Sequence, residues 1–529
     1  MDLIKKMLKY LLILAIIAVL ACSLIAGILF IFPSLSLFGL RYAANHKQNI
    51  AEEVNSVITK VNIETNHYNI VIKPNSEKNE ENPDNTTLRV VINNDFTGYS
   101  KNGITNANIK KSVSENYLDA GKFDSVSLAS FKVDGELTLA LTEPEGLIAY
   151  GSSSVIVFLP ENATGVEYNL KTNTGKISFE KNNFDESKTI STKNITLSVS
   201  SYKGSFNLDN ADMQDGSDLT ISNYIGRVEV NSERIGNVKI NSNSGNFTFK
   251  QIGYEGFNGG DLTVEGNNPY IRVKGTVFGS VKYTNVVTGF VEIDTIKKDL
   301  IYESKNGILR VNKTLGNVKT TNETGETTIK QIGSESSERT SVDIKSISGV
   351  INLGTEETKI YFIANVTTET GRVNIKNLVE NNAVITTTKG SVDVSFTPNL
   401  KQNLTVTTVS GQVSLDNVSG KMDIKTENSA KICAKFLSFN ADSNFQTDGG
   451  EVELVLPAPT ESEDKRYELN LSNRQKNKLN ISIGAYSKTE FDGEKDDNLY
   501  YNFVKSFPEN MSGYKIFVKT NSGLIKVHE

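Results

Sequence analysis

A glycine, one polar residue and an apolar-polar-apolar triplet recur along most of this chain, and that recurrence constrains the fold more than any other feature. Gly226-Arg-Val-Glu-Val230, Gly236-Asn-Val-Lys-Ile240 and Gly245-Asn-Phe-Thr-Phe249 show it three times in succession. Ile177-Ser-Phe179, Phe206-Asn-Leu208, Leu262-Thr-Val264, Ile271-Arg-Val273, Val291-Glu-Ile293 and Leu309-Arg-Val311 continue it. Val373-Asn-Ile375, Val392-Asp-Val394, Val413-Ser-Leu415, Met422-Asp-Ile424 and Val452-Glu-Leu454 carry it further. Alternate side chains on a strand face opposite ways, so the outer two residues of each triplet point to a core and the polar middle one to solvent.

The spacing closes these strands into a coil. Gly226 and Gly245 lie 19 residues apart, Gly289, Gly307 and Gly325 follow at steps of 18, and Gly371, Gly390 and Gly411 at steps of 19 and 21. A fixed period of this kind is the signature of a solenoid. The simplest coil has about 18–21 residues and two short strands on opposite walls; some fifteen such coils stacked at ~4.8 Å would make a rod of roughly 70 Å. Corners rich in Thr, Ser and Asn precede the glycines, as in Thr172-Asn-Thr-Gly175, Ser242-Asn-Ser-Gly245, Thr368-Glu-Thr-Gly371, Thr387-Thr-Lys-Gly390 and Thr408-Val-Ser-Gly411. Glycine is expected to supply positive φ there, and stacked corner side chains to hydrogen-bond along the rod. Composition agrees with this reading. Only 38% of the 529 residues are hydrophobic and Trp is absent, which suits one narrow core column better than a wide globular core.

Leu11 to Phe32 carries no charge. At ~1.5 Å per residue it reaches about 33 Å, enough to cross a bilayer core. Lys5, Lys6 and Lys9 precede it, against Arg41 and Lys47 after it, which places residues 1–10 in the cytoplasm and the bulk of the chain outside. A cleaved signal peptide would have a shorter apolar region, and the lipoprotein-like Val19-Leu-Ala-Cys22 is followed by further apolar sequence, so an uncleaved signal anchor over 11–32 is the leading reading. Residues 33–50 then read as a juxtamembrane linker, 51–160 as an irregular β entrance, 161–457 as the solenoid repeats, and 458–529 as a C-terminal cap and last coil.

Reactive chemistry is sparse. Cys22 and Cys433 are too far apart in sequence and place to staple the fold; Cys433, in Lys431-Ile-Cys-Ala-Lys435, reads as a small core residue. His46, His67 and His528 are scattered. No phosphate loop or zinc spacing occurs, and Gly259-Gly-Asp-Leu-Thr-Val264 only faintly resembles a calcium-binding repeat. Asp343, Asp393 and Asp423 are the carboxylates to examine for a β-helical carbohydrate-active enzyme, with Lys239, Arg272, Glu292, Arg310 and Ser414 at equivalent middle positions. A mixed, solvated face explains all of them. The sequons at Asn194, Asn365 and Asn403 are expected by chance in so Asn- and Thr-rich a chain. The net charge of −6 is mild and interspersed, and the soluble part has no basic run, which argues against nucleic acid as a partner.

Val155-Ile-Val-Phe-Leu-Pro160 followed by Tyr168-Asn-Leu-Lys-Thr-Asn-Thr-Gly-Lys-Ile177 resembles the strand-Leu-Pro, Thr-x-x-Gly, strand pattern of a bacterial adhesin-like family of unknown function. Thr408-Val-Ser-Gly-Gln-Val413 and Leu454-Val-Leu-Pro457 repeat its elements, so the resemblance extends over about 50–529. It implies a membrane-tethered cell-envelope β-solenoid and transfers no functional residue. The expectation is a non-enzymatic, single-pass, surface-displayed β-solenoid without catalytic, cofactor or metal residues. Its partners would be the membrane, through 11–32, and an unknown envelope protein or surface glycan. The alternatives are an envelope-stress or signalling accessory that binds a membrane protein, and the β-helical enzyme.

Overall fold

The computed structural model describes residues 9–20, 41–53, 57–75, 87–99, 126–128, 135–141, 147–150, 153–160, 163–181, 189–199, 205–223 and those from 225 onward, except 258, 336–339, 364, 380–381 and 399–401. Apart from a helix over 9–20 and a single turn of 3-10 helix at Glu463–Lys465, the regular structure among these residues is β. The chain is a β-solenoid of about 12 turns. It divides into two compact units, one holding most residues up to Gln214 and the other most residues from Asp215 onward.

In the second unit the coils run in sequence order from Asp218–Asn223 to Val452–Val455, each strand pairing in parallel with its equivalent one coil on. The triplets behave as the alternation requires. Val238, Ile240, Phe247 and Phe249 are at most 2% exposed, as are Val373, Ile375, Val413 and Leu415. The coil length is more elastic than 18–21 residues. Leu300 pairs with Val318, 18 residues on, but Val238 pairs with Leu262, 24 on. The surplus falls after the second strand, between Ile252 and Leu262 and between Ile332 and Val342.

Two walls do not complete the coil. A third, very short parallel ladder closes it, with Ile252 bridged to Val277, Val277 to Ile296, Ile296 to Thr314, Thr314 to Ile332 and Ile332 to Ile360. These residues are fully buried. Single residues in the return segment give no alternation, so no sequence pattern marks them.

The corner chemistry also differs from the expectation. Gly175, Gly349, Gly371, Gly390, Gly411, Gly450 and Gly523 are not in the left-handed region. Their constraint is space. A Cβ on Gly371 would overlap the carbonyl oxygen of Gly349, one on Gly390 that of Gly371, and one on Gly411 that of Gly390. The corners therefore form a column in which each glycine rests on the carbonyl of the previous coil. The preceding Thr or Ser holds the turn. Its buried hydroxyl accepts the glycine N–H at 2.8–3.1 Å in Thr172, Ser346, Thr368, Thr387, Thr408, Thr447 and Thr520. The same hydroxyl donates to the neighbouring coil, from Thr368 to the Ile347 carbonyl at 3.3 Å and from Thr172 to the Tyr68 carbonyl at 3.3 Å. The ladder along the stack thus exists, and it runs from side chain to backbone.

Among the described residues, each unit departs from sequence order in one place. In the second unit Tyr514–Thr520 lies between Ser443–Thr447 and Tyr467–Asn473, parallel to both, and Ile525–His528 lies between Val452–Val455 and Leu479–Ile483. The coil at 514–528, expected as the last, is thus the penultimate one. The outer coil at 467–483 is covered by the antiparallel strands Tyr501–Phe507 and Tyr486–Lys488. In the first unit Lys60–Glu64 lies between Glu136–Leu141 and Val166–Thr172, and Asn69–Pro74 between Ser154–Leu159 and Lys176–Phe179. There the outer edges are covered by the antiparallel strands Val126–Leu128 and Thr87–Tyr99. An open parallel edge would template association with another chain, and an antiparallel cover removes it.

Thr87–Tyr99 pairs in turn with Arg41–Glu53. A strand therefore occupies most of the segment read as a linker over 33–50. Of the segment read as a membrane anchor, residues 11–20 belong to the described helix and 21–32 lie outside the described residues, as does Cys22. Among the described residues no helix is long and apolar enough to cross a membrane.

Adjacent glycines give a sharp test of the column. A Cβ on Gly450 would overlap the Ala430 carbonyl, whereas one on Gly449 would meet the hydroxyls of Ser429 and Ser522, at 3.2 and 3.3 Å, with the Asn428 carbonyl at an ordinary 3.8 Å. Gly450→Ala is expected to destabilise the fold by about 1–3 kcal/mol, and Gly449→Ala to stay within ~0.5 kcal/mol of the parent, read as the shift of the urea denaturation midpoint.

Candidate functional site

The solvent faces of the walls are arrays of polar side chains at strand register, spaced ~4.8 Å along the stack. On the second wall they join into a continuous run. Tyr270 stacks on Phe290 with centroids 4.6 Å apart, and the Arg310 guanidinium lies 5.6 Å from the Phe290 centroid. Arg310 reaches Glu326 at 3.2 Å, and Glu326 accepts from Thr328 at 2.7 Å. Thr328 accepts from Asn352 at 3.3 Å, and Asn352 accepts from Asn374 at 2.7 Å.

The run opens into a shallow depression of about 390 Å³ spanning four coils. Arg372 forms one rim, its Nε and Nη2 donating to Asp393 Oδ2 at 3.2 and 2.9 Å. Lys376, paired with Glu356, forms the other. Between them the small residues Gly354, Ser395 and Ser414 keep the floor low. The side chains of Ser414 and Asp416 make no hydrogen bond or ion pair with a described residue, so the far end of the depression presents unengaged acceptors and a donor. The lining is balanced in charge: Arg372 and Lys376 against Asp393 and Asp416.

The three carboxylates singled out from the sequence do not converge. Asp343 and Asp423 stand on the first wall, separated by the register steps Asp343–Asn365, Asn365–Val384, Val384–Thr405 and Thr405–Asp423, and Asp393 stands on the second wall. Four coil steps amount to about 19 Å, well beyond the ~5–9.5 Å of a glycosidase pair. Each is engaged locally: Asp343 with Lys345 at 3.1 Å, Asp393 with Arg372, and Asp423 with the Asn444 amide at 3.0 Å. Lys239 pairs with Asp218, Arg272 with Glu292 at 3.1 Å, and Ser414 lines the depression. Asp261, of the calcium-like stretch, accepts the Ser280 N–H at 2.7 Å, and no group of three or more His, Cys, Asp or Glu residues able to hold a metal occurs among the described residues.

A second cluster escaped the sequence reading. Glu453 receives Lys431 at 2.6 Å, His528 Nε2 at 3.2 Å and Lys526 at 3.5 Å, while Lys431 also reaches Glu451 at 3.2 Å. Hydrogen bonds from Lys431 and His528 hold the Glu453 carboxyl at about 2, and Glu453 in turn raises the Lys431 ammonium. Cys433 is part of this surface and not of the core: Ile432 and Ala434 take the inward positions, and the thiol lies 4.0 Å from Glu453. Burial, followed by the Glu453 charge, pushes that thiol up, away from reactivity. His67 bonds Thr174 through Nδ1 at 2.8 Å, and burial lowers it. His67 and His528 therefore belong to separate local networks.

Residues 364–528 match the model of a protein family described as Toastrack DUF4097, a domain of unknown function. The matched stretch begins where the Thr-x-x-Gly corners become regular, at Thr368 to Gly371, and includes the out-of-order coils at its end. No curated protein and no solved structure matches the chain.

The depressed Glu453 value fixes a pH dependence. A carboxyl at about 2 in the fold and 4.5 outside it contributes stability fully above pH 4.5 and loses it as pH falls toward 2. Glu453→Gln is expected to be less stable than the parent at pH 7 and to show a shallower loss between pH 4.5 and 2, followed by circular dichroism during acid titration.

Proposed function

We propose that this chain is a non-enzymatic, adhesin-like β-solenoid of the bacterial cell envelope, which presents the second wall as a binding surface for an envelope glycan or protein. The observation that carries this reading is the polar depression from Asn352 to Asp416. Its side chains are prearranged by register and by bonds to one another, so engaging a partner demands little ordering, and ordering is a main cost of binding. Shallow, balanced in charge and rich in amide and hydroxyl groups, it suits a hydroxyl-bearing or mixed-charge partner better than a small apolar ligand. The separation of Asp343, Asp393 and Asp423 favours a scaffold over a hydrolase.

Tethering by residues 11–32 is part of the same proposal. It is supported by the helix over 9–20, in which Leu11, Leu14 and Val19 are 65–71% exposed. Apolar side chains so presented call for a lipid or protein cover. Protease treatment of intact cells should release the part beyond residue 40, and complete protection would refute the outward orientation. In binding assays on whole bacterial cells, Arg372→Ala combined with Asp416→Ala should weaken attachment at least about tenfold, with Lys345→Ala on the first wall as a neutral control. Equal binding by all three proteins would sink the depression as the contact surface.

A further inference from the structure

We propose that residues 443–483 form an acceptor slot for a two-strand β segment, filled in this structure by Tyr514–His528 of the same chain and able to take the same segment from a second copy. The spatial order carries this inference. Both neighbours of the inserted coil precede it in sequence, and the segment meets them along both edges of both strands. Ile516 faces Ser443 on one side and Leu469 on the other; Ile525 faces Val452 and Leu479. Paired strand edges supply affinity and side-chain pockets supply selectivity, as in peptide recognition by β-augmentation.

The slot is selective. Ile516, Val518, Thr520, Ile525 and Val527 enter the core and are at most 1% exposed. Gly523 rests on the Gly450 carbonyl, so the slot requires a glycine there, and Thr520 closes that corner. The slot contributes its own locks: Asn473 Nδ2 donates to the Gly523 carbonyl at 2.7 Å, and Glu453 takes Lys526 and His528. Lys519 lies 4.4 Å from the Tyr500 ring centroid, and Asn521 accepts the Tyr500 hydroxyl.

The first unit provides a contrast. Its inserted coil, 57–75, precedes both neighbours in sequence, so the flanking coils can assemble on it. At 443–483 the flanking coils are made first and the filler arrives afterwards. If the flanking coils close before the filler arrives, the slot must reopen, and if they do not, it stays open; on this proposal it binds a separate segment in either case.

The test uses the full chain with a specific protease sequence inserted between Asn510 and Met511, outside the strands. After cleavage, fragment and body should co-elute in gel filtration. A labelled synthetic peptide of residues 512–529 should then exchange into the cut protein below its unfolding temperature, while the same peptide with Val518→Asp should bind at least about tenfold more weakly, since it would bury a charge. The inference is overturned if the cut body stays folded by circular dichroism yet takes up no peptide, if the Val518→Asp peptide enters equally well, or if cleavage unfolds the whole chain.

Discussion

From Gly307 onward the coils are held in register by a contact that leaves no room for a side chain: the glycine of one corner set against the carbonyl oxygen of the corner before it. Gly325, Gly349, Gly371, Gly390 and Gly411 repeat it in succession, and Gly450 and Gly523 resume it. From Gly349 on, the Thr or Ser three residues earlier makes the contact tolerable. Its hydroxyl accepts the glycine N–H, which would otherwise be buried without a partner, and in Thr368, Thr387 and Thr447 it donates in turn to a carbonyl of the preceding coil. Where a tyrosine enters the core beside the corner, the glycine makes room for a side chain instead: a Cβ on Gly289 would overlap the Tyr283 hydroxyl. Burial then pushes that phenol far up, and Tyr302, stacked on it at 5.1 Å, up to about 12.

With the corners fixed, the rest of the coil follows. Each wall strand pairs at one register, each triplet keeps its middle residue outside, and the outside becomes a lattice of side chains at coil spacing. Such a lattice spreads chemistry instead of concentrating it. Carboxylates land on different walls or many coils apart, and neighbouring charges neutralise one another, as Arg372 does Asp393. A broad, prearranged polar surface results, and the proposed recognition role rests on it. At Glu453 two lysines and His528 meet one carboxylate, and Lys526 and His528 bind the out-of-order coil to its neighbour.

Much of this was legible in the sequence because strand alternation and glycine spacing are both local. Val392-Asp-Val394 and Gly390 need no distant information to be placed. Three things were not legible, each for a physical reason. Ile252, Val277 and Ile296 form the third ladder as single residues, and a single residue has no period. Cys433 was misjudged because a small apolar residue at a middle position gives no polarity signal, although its flanks, Ile432 and Ala434, do alternate. The grouping of Lys526 and His528 with Glu453 depends on Tyr514–His528 entering between earlier coils, and coil arithmetic assumes that sequence order is spatial order. The corner glycines were located correctly but for the wrong cause, since left-handed backbone and lack of space both select glycine.

Residue-resolved amide hydrogen exchange tests the corner column most directly. If Thr hydroxyls and stacked carbonyls seal the corners, the N–H groups of Gly371, Gly390, Gly411, Gly450 and Gly523 exchange as slowly as those of wall residues such as Val373 and Val413. Exchange at these glycines as fast as in the exposed loop 494–498 would contradict the account.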